Sequence, residues 1–278
     1  MSVSRSQYQI HAEVRRGAFS VCVRATRSSD GSEVVLYDYG PLPTQTALPG
    51  ASLAERLERK LRAAATLSHP ALPAIVDYGA EEDHFLVALE WIEGTTLEAL
   101  LDEQPRIPYP RTREIVGSVL GAIRELERCG WCHGDIHPGA VVLDPGDGAV
   151  RLTDIGIPAL FSELEPEFGS APTAYRSPER RAGHVIDARS DQYSVGVLLY
   201  RMLTGTLPAE PPARLEPPDL SPEIAQKLTA VIQRACKADP SARYGGVTAM
   251  ASAIALAGRG EDVSPTRASS AKPVVNAP

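Results

Sequence analysis

Lysine is nearly absent from this chain of 278 residues, occurring only at Lys60, Lys227, Lys237 and Lys272, while arginine is plentiful. Compact, mobile point charges are therefore scarce, and the first two hundred residues hold a single one. Basic character is missing overall as well: 35 acidic residues outnumber 28 basic ones, for a formal net charge of -7. Such a chain offers no electrostatic footprint for nucleic acid or for an anionic lipid surface. No apolar run approaches the ~20 residues that cross a bilayer, and residues 1–16 lack the apolar stretch of a secretory signal. The expectation is a cytoplasmic protein with no nucleic-acid partner and no membrane insertion.

Cysteine is sparse too. Cys22, Cys129, Cys132 and Cys236 are too few for a secreted disulfide framework. Cys129 and Cys132 have the spacing of a redox pair, but they follow an apolar helical stripe (Ile115, Val119, Ile123, Leu126) that stops at Gly130. A reactive pair wants its first thiol at a helix N-terminus, so two structural cysteines are the favoured reading.

What is present suits a packed core, with 43% hydrophobic residues. Residues 20–23 and 34–37 read as a hairpin across a Ser-Asp-Gly turn, and residues 85–89 as a buried strand. Leu53, Leu57, Leu61, Ala64 and Ala65 form a helical stripe after a Pro-rich loop at 40–50. Beyond residue 90 the pattern turns helical at 95–101, 111–129, 190–204, 221–236 and 245–257. The division is thus a strand-rich part at 1–90, a helical part at 91–257 and a tail at 258–278 whose small polar composition predicts disorder. Ser264, Thr266, Ser269 and Ser270 in that tail could accept phosphate from an active kinase and recruit a phospho-reader, against the plainer reading of an idle terminus.

The string His133-Gly134-Asp135-Ile136-His137-Pro138-Gly139-Ala140, then Asp154-Ile155-Gly156, then Ser177-Pro178-Glu179, resembles the ordered motif set of eukaryotic-type (Hanks-type) bacterial Ser/Thr protein kinases over about residues 8–257. The resemblance implies an α+β, bilobal kinase-like fold with a small β-rich N-lobe and a larger helical C-lobe. It also implies a buried pair between Glu179 and Arg243, and Asp191 at the head of an apolar helix.

The same resemblance assigns site positions, and several hold unexpected residues. Asp135 stands at the base position and Asp154 at a metal-ligand position, but the second metal position is Ala140. Tyr37 replaces the strand lysine and Lys60 its helix glutamate. Of the glycine-rich turn only Gly17 remains. His137 stands for the lysine that meets the transferred phosphate, and Gly134 for the arginine that reads a phosphorylated activation segment. Leu89, Glu90 and Ile92 fall in the adenine-contacting hinge, which works through backbone groups. Asp154 could hold one Mg²⁺ or simply pair with Lys60.

Each preorganised charge lost typically costs ~10²–10³ in rate. The expectation is therefore a pseudokinase that regulates or scaffolds by binding protein partners, an active kinase among them, needs no cofactor and binds ATP and Mg²⁺ weakly at most. Two alternatives stand beside it. One is an active Ser/Thr kinase whose missing cation comes from Lys60, Arg15, Arg16 or Arg24; the other is a non-catalytic nucleotide-binding switch.

Overall fold

The computed structural model describes residues 3–16, 20–42, 53–161, 171–209, 212–217 and 219–258. Gly17, most of the Pro-rich loop and the tail from 259, with its serines and threonine, lie outside them.

Five strands, β1 (Tyr8–Arg16), β2 (Ser20–Arg27), β3 (Glu33–Tyr39), β4 (Ile75–Glu81) and β5 (His84–Glu90), form one antiparallel sheet in the spatial order β1-β2-β3-β5-β4. The two-residue period of a strand sorts the side chains of β3. Val34 and Leu36 join Val3, Tyr8, Val23, Ala25, Leu86 and Ala88 on one face. Tyr37 and Tyr39 point to the other, into the main core with Cys22, Phe85, Val87 and Leu89. The position that resembles the strand lysine thus looks inward. β5 lies between β3 and β4 with its five central residues buried, as an unbroken apolar run requires.

Helix α1 (Leu53–Ala64) lays Leu53, Leu57, Leu61 and Ala64 against that core, following the expected stripe. The chain crosses out of the sheet through residues 91–94 and enters β6 (Thr95–Thr96), α2 (Leu97–Glu103) and α3 (Tyr109–Arg128). β7 (Val141–Leu143) pairs with β6 on one side and with β8 (Val150–Leu152) on the other in a small second sheet, and α4 (Ile157–Phe161) follows. These short strands and α4 go beyond the expected elements, because two to five residues are too few to show a period. Helices α5 (Pro178–Arg181), α6 (Ala188–Thr204), α7 (Pro222–Ala235) and α8 (Val247–Ala257) complete the C-lobe. The result is an α+β protein-kinase fold.

α6 is the hub of this lobe, buried continuously from Ser190 to Tyr200 and packed by α3, α7 and α8. Its first turn fixes the loop that carries the candidate chemistry. Asp191 is fully buried and accepts the backbone N–H of His133 at 2.7 Å and of Gly134 at 2.8 Å. Burial pushes its carboxyl up to about 7 even though those two bonds lower it. Next to it, Arg243 donates from Nη1 and Nη2 to the two Glu179 oxygens at 2.7 and 2.8 Å, and Ser190 adds a bond at 2.6 Å. Burial favours the neutral acid, but these donors outweigh it and hold Glu179 at about 2. Both features match the sequence expectation.

The four cysteines are free thiols. Cys129 caps the C-terminal end of α3, the wrong end for an activated thiol, and burial holds the Cys132 thiol well above its usual value. Among the described residues no helix is long and apolar enough to cross a membrane.

Candidate active site

Between the large sheet and the C-lobe lies a cavity of about 480 Å³, within the range of small-ligand sites. Val14, Cys22 and Val35 line it from the sheet and Val142 from β7, while Glu90, Trp91 and Ile92 close its edge. Hinge side chains are turned to structural work. Glu90 accepts from both terminal guanidinium nitrogens of Arg151 at 2.8 Å, and Arg24 stacks over Trp91 at 4.6 Å while pairing with Glu33 and Glu93. Glu90 and Ile92, expected in the hinge, both line the cavity, and the backbone N–H groups of Glu90 and Trp91 are bonded to the carbonyls of Ala74 and Glu33. Leu89 lies behind them, fully buried in β5.

The inner end of the cavity is polar and holds Arg15, His137, Thr153 and Asp154. Asp154 sits on a turn whose φ values are positive at Asp154, Ile155 and Gly156, a conformation that side-chain-bearing residues rarely adopt. The phenol of Tyr37 donates to Asp154 Oδ1, and Arg15 Nη1 approaches Oδ2 at 3.9 Å. Burial raises the carboxyl of Asp154 and Arg15 lowers it. Arg15 can reach this point because β1 is irregular: the register with β2 shifts between Glu13 and Arg15, so the adjacent residues Val14 and Arg15 both line the cavity.

The base position is deeper. Asp135 has a fully buried side chain whose Oδ1 accepts the Ala171 N–H at 3.1 Å and faces Arg180 Nη2 at 3.1 Å. His137 Nε2 stands 4.0 Å from Oδ2. Burial pushes the His137 imidazole down to about 4, so it is neutral at pH 7 and does not reproduce a lysine. Ala140, at the second metal position, is buried and brings only a methyl group.

Lys60 is placed elsewhere. It is exposed on α1 and, with Arg59, lines a separate cavity of about 320 Å³ against Cys129, Trp131, Cys132 and Leu160. No ion pair joins it to Asp154 among the described residues, so the expected pairing is corrected: Tyr37 and Arg15 occupy that role. Arg16 and Arg24 are also spent outside the cavity, on Glu13 and on the hinge surface. Of the four cations considered from the sequence, only Arg15 reaches the site. The involvement of Arg180 was missed because nothing in a four-residue helix marks which side chain turns inward. No cluster of three or more His, Cys, Asp or Glu suited to a metal occurs among the described residues.

Residues 8–254 match the model of the protein kinase domain. This chain belongs to the protein kinase family. A probable serine/threonine-protein kinase of Streptomyces coelicolor is 33% identical over 242 residues, covering 78% of this chain and 35% of that protein. A serine/threonine-protein kinase of Myxococcus xanthus is 28% identical over 265 residues, covering 85% and 47%. The chain thus spans between a third and a half of the length of these relatives. The crystal structure of the Mycobacterium tuberculosis PknI kinase domain aligns with a TM-score of 0.65 at 24% identity, covering 92% of this chain and 98% of that one, a likeness of fold. These matches overturn the expectation of a binding-only pseudokinase, because the relatives are named as kinases and an active kinase fits the family better. The expectation weighed the vacant motif positions above the alternative that names Arg15, and Arg15 is the one of those candidates that lines the cavity.

Proposed function

We propose that this chain is the kinase domain of an ATP-dependent protein serine/threonine kinase in which Arg15 supplies the phosphate-facing cation that β3 lacks. The observation that carries the reading is the Arg15 guanidinium, which lines the hinge-side cavity and stands 3.9 Å from Asp154. Protein kinases work chiefly by positioning and by neutralising phosphate charge, so the origin of a cation matters less than its place.

The cavity residues fit the nucleotide in outline. Val14, Cys22, Val35 and Val142 supply apolar walls for a base, and residues 90–92 the edge against which it would lie. Arg15 would hold phosphate oxygens and Asp154 one Mg²⁺, with no side-chain ligand from Ala140. ATP with its metal supplies the phosphoryl group; the chain orients it and offers Asp135 to take the proton of an attacking serine or threonine hydroxyl. The protein partner is then a substrate, and ATP as donor suits a cytoplasmic location.

The test is transfer from radiolabelled ATP to casein and to the chain itself. Wild-type protein is expected to label, and Asp135→Asn and Arg15→Gln to lose ~10²–10³ of the rate. Labelling that survives Asp135→Asn, or wild-type labelling no higher than that of the variant, would refute the reading.

A further inference from the structure

The charge that governs the base comes from an unexpected element. Asp135 is held in a fully buried site, and the titratable and charged groups around it can be named from each side. Its own loop contributes His133 and His137, both kept neutral at pH 7 because burial lowers them. α5 contributes Arg180, with Nη2 at 3.1 Å from Oδ1 and a side chain only 5% exposed. Beyond Arg180 stand Arg176 and Asp191, and both oxygens of Asp191 are engaged by the backbone N–H groups of His133 and Gly134. Among the described residues, the cation paired with the base therefore comes from the segment after Glu179 and not from the catalytic loop.

The placement of Arg180 is built in. Ser177 caps α5 through the Arg180 N–H, Pro178 opens the helix, and Glu179 is locked onto the buried Arg243 and Ser190. With its neighbour tied to that side, Arg180 turns toward the catalytic loop. A carboxylate in a buried site is driven toward its neutral form, and a neutral acid cannot accept a proton; an adjacent guanidinium opposes this at every pH of interest.

The geometry points to Arg180 as the positioning residue of this kinase: it keeps Asp135 ionised and aimed, beside a catalytic loop whose own histidines bring no charge. This assignment rests on the kinase reading above. Arg180 acts through Asp135 and not on the phosphate, so its loss should alter kcat and the pH profile while leaving the KM for ATP alone.

Arg180→Gln is expected to lower kcat about 100-fold, the scale of a misplaced catalytic group. The acid limb of its rate profile should move to higher pH, with Arg180→Lys keeping a wild-type limb and part of the rate. A structural role alone would lower the amount of folded protein without moving the limb. A second measurement does not need activity: in urea unfolding at pH 7, Arg180→Gln should shift the midpoint down strongly in wild type and much less in Asp135→Asn, because the buried carboxylate left behind is absent there. Equal shifts in the two backgrounds would overturn the pairing. A wild-type kcat and profile in Arg180→Gln, or a faster variant, would overturn the positioning role. A wild-type protein that transfers no phosphate but shows the coupled unfolding would instead refute the kinase reading and leave the ion pair standing.

Discussion

Tyr37, on the strand position where kinases keep a lysine, hydrogen-bonds Asp154, the residue at the metal-ligand position 117 residues further along the chain. The sequence change and the contact explain one another. A lysine there would leave Asp154 ionised for a metal, whereas a neutral phenol gives the carboxylate one hydrogen bond and no charge, and occupies an oxygen that a metal would use.

Tyr37→Phe should therefore act in opposite directions with and without ligand. Alone, the variant loses a bond to a buried carboxylate and should be less stable by ~1–3 kcal/mol. With ATP and Mg²⁺ the carboxylate is released, so the magnesium concentration giving half of the thermal shift should fall by about tenfold. A thermal-shift titration of Mg²⁺ at fixed ATP reads both; an unchanged magnesium midpoint would show that the phenol does not compete.

Much of the fold was legible because its signals are long. The stripe of α1 and the apolar run of β5 each span several periods, and the ordered motifs from Asp135 to Glu179 fix the topology around them. Arg15 and Arg180 were not legible as partners of Asp154 and Asp135. One depends on a register shift in β1 and the other on which way a single turn of helix faces, and neither leaves a periodic trace. Lys60 misled for the opposite reason: its position in the sequence matched a family site, but the helix presents it to another cavity.

Acid should act on stability through His137 and Asp191, with opposite signs, and then through Glu179. His137 titrates at about 4 when folded and near 6.5 when unfolded, so between those values the unfolded chain binds more protons and stability falls as pH drops. The share of His137 in that loss is roughly 2 kcal/mol by pH 5, and Asp191, raised to about 7 by burial, offsets it because the folded state takes up a proton there over the same interval. His133 is lowered in the same sense. Glu179, held at about 2, contributes stability above its unfolded value of about 4.3 that fades as pH falls from there toward 2. Between pH 7 and pH 5 the urea midpoint of His137→Asn should rise relative to that of wild type; parallel curves would contradict the buried neutral imidazole.

Gly134 should resist replacement by any residue with a side chain, the family's arginine included. Its φ is +76°, and a Cβ there would meet Ala159 Cβ at 2.8 Å and Ile186 Cδ1 at 3.0 Å. Gly134→Ala should cost ~1–3 kcal/mol from the backbone conformation and the contact together. Chemical unfolding measures it, and a loss below about 0.5 kcal/mol, the range of ordinary surface changes, would mean that α4 gives way freely.

Arg15 and Lys60 offer a direct contrast, because each was a candidate for the same task and only one lines the hinge-side cavity. If phosphate oxygens are held by the guanidinium from β1, Arg15→Gln should weaken ATP binding by about tenfold or more, the worth of a hydrogen bond to a charged group. Lys60→Gln should leave the affinity within about twofold, since its side chain is exposed on α1 and faces another cavity. Binding of a fluorescent ATP analogue, displaced by ATP itself, reads both variants in one series. Salt should discriminate further: a cation acting from inside a partly closed cleft is screened less than one at the surface, so the wild-type advantage over Arg15→Gln should persist at raised ionic strength. A Lys60 effect equal to that of Arg15 would mean that α1 swings inward on binding, and the role given to β1 would fail.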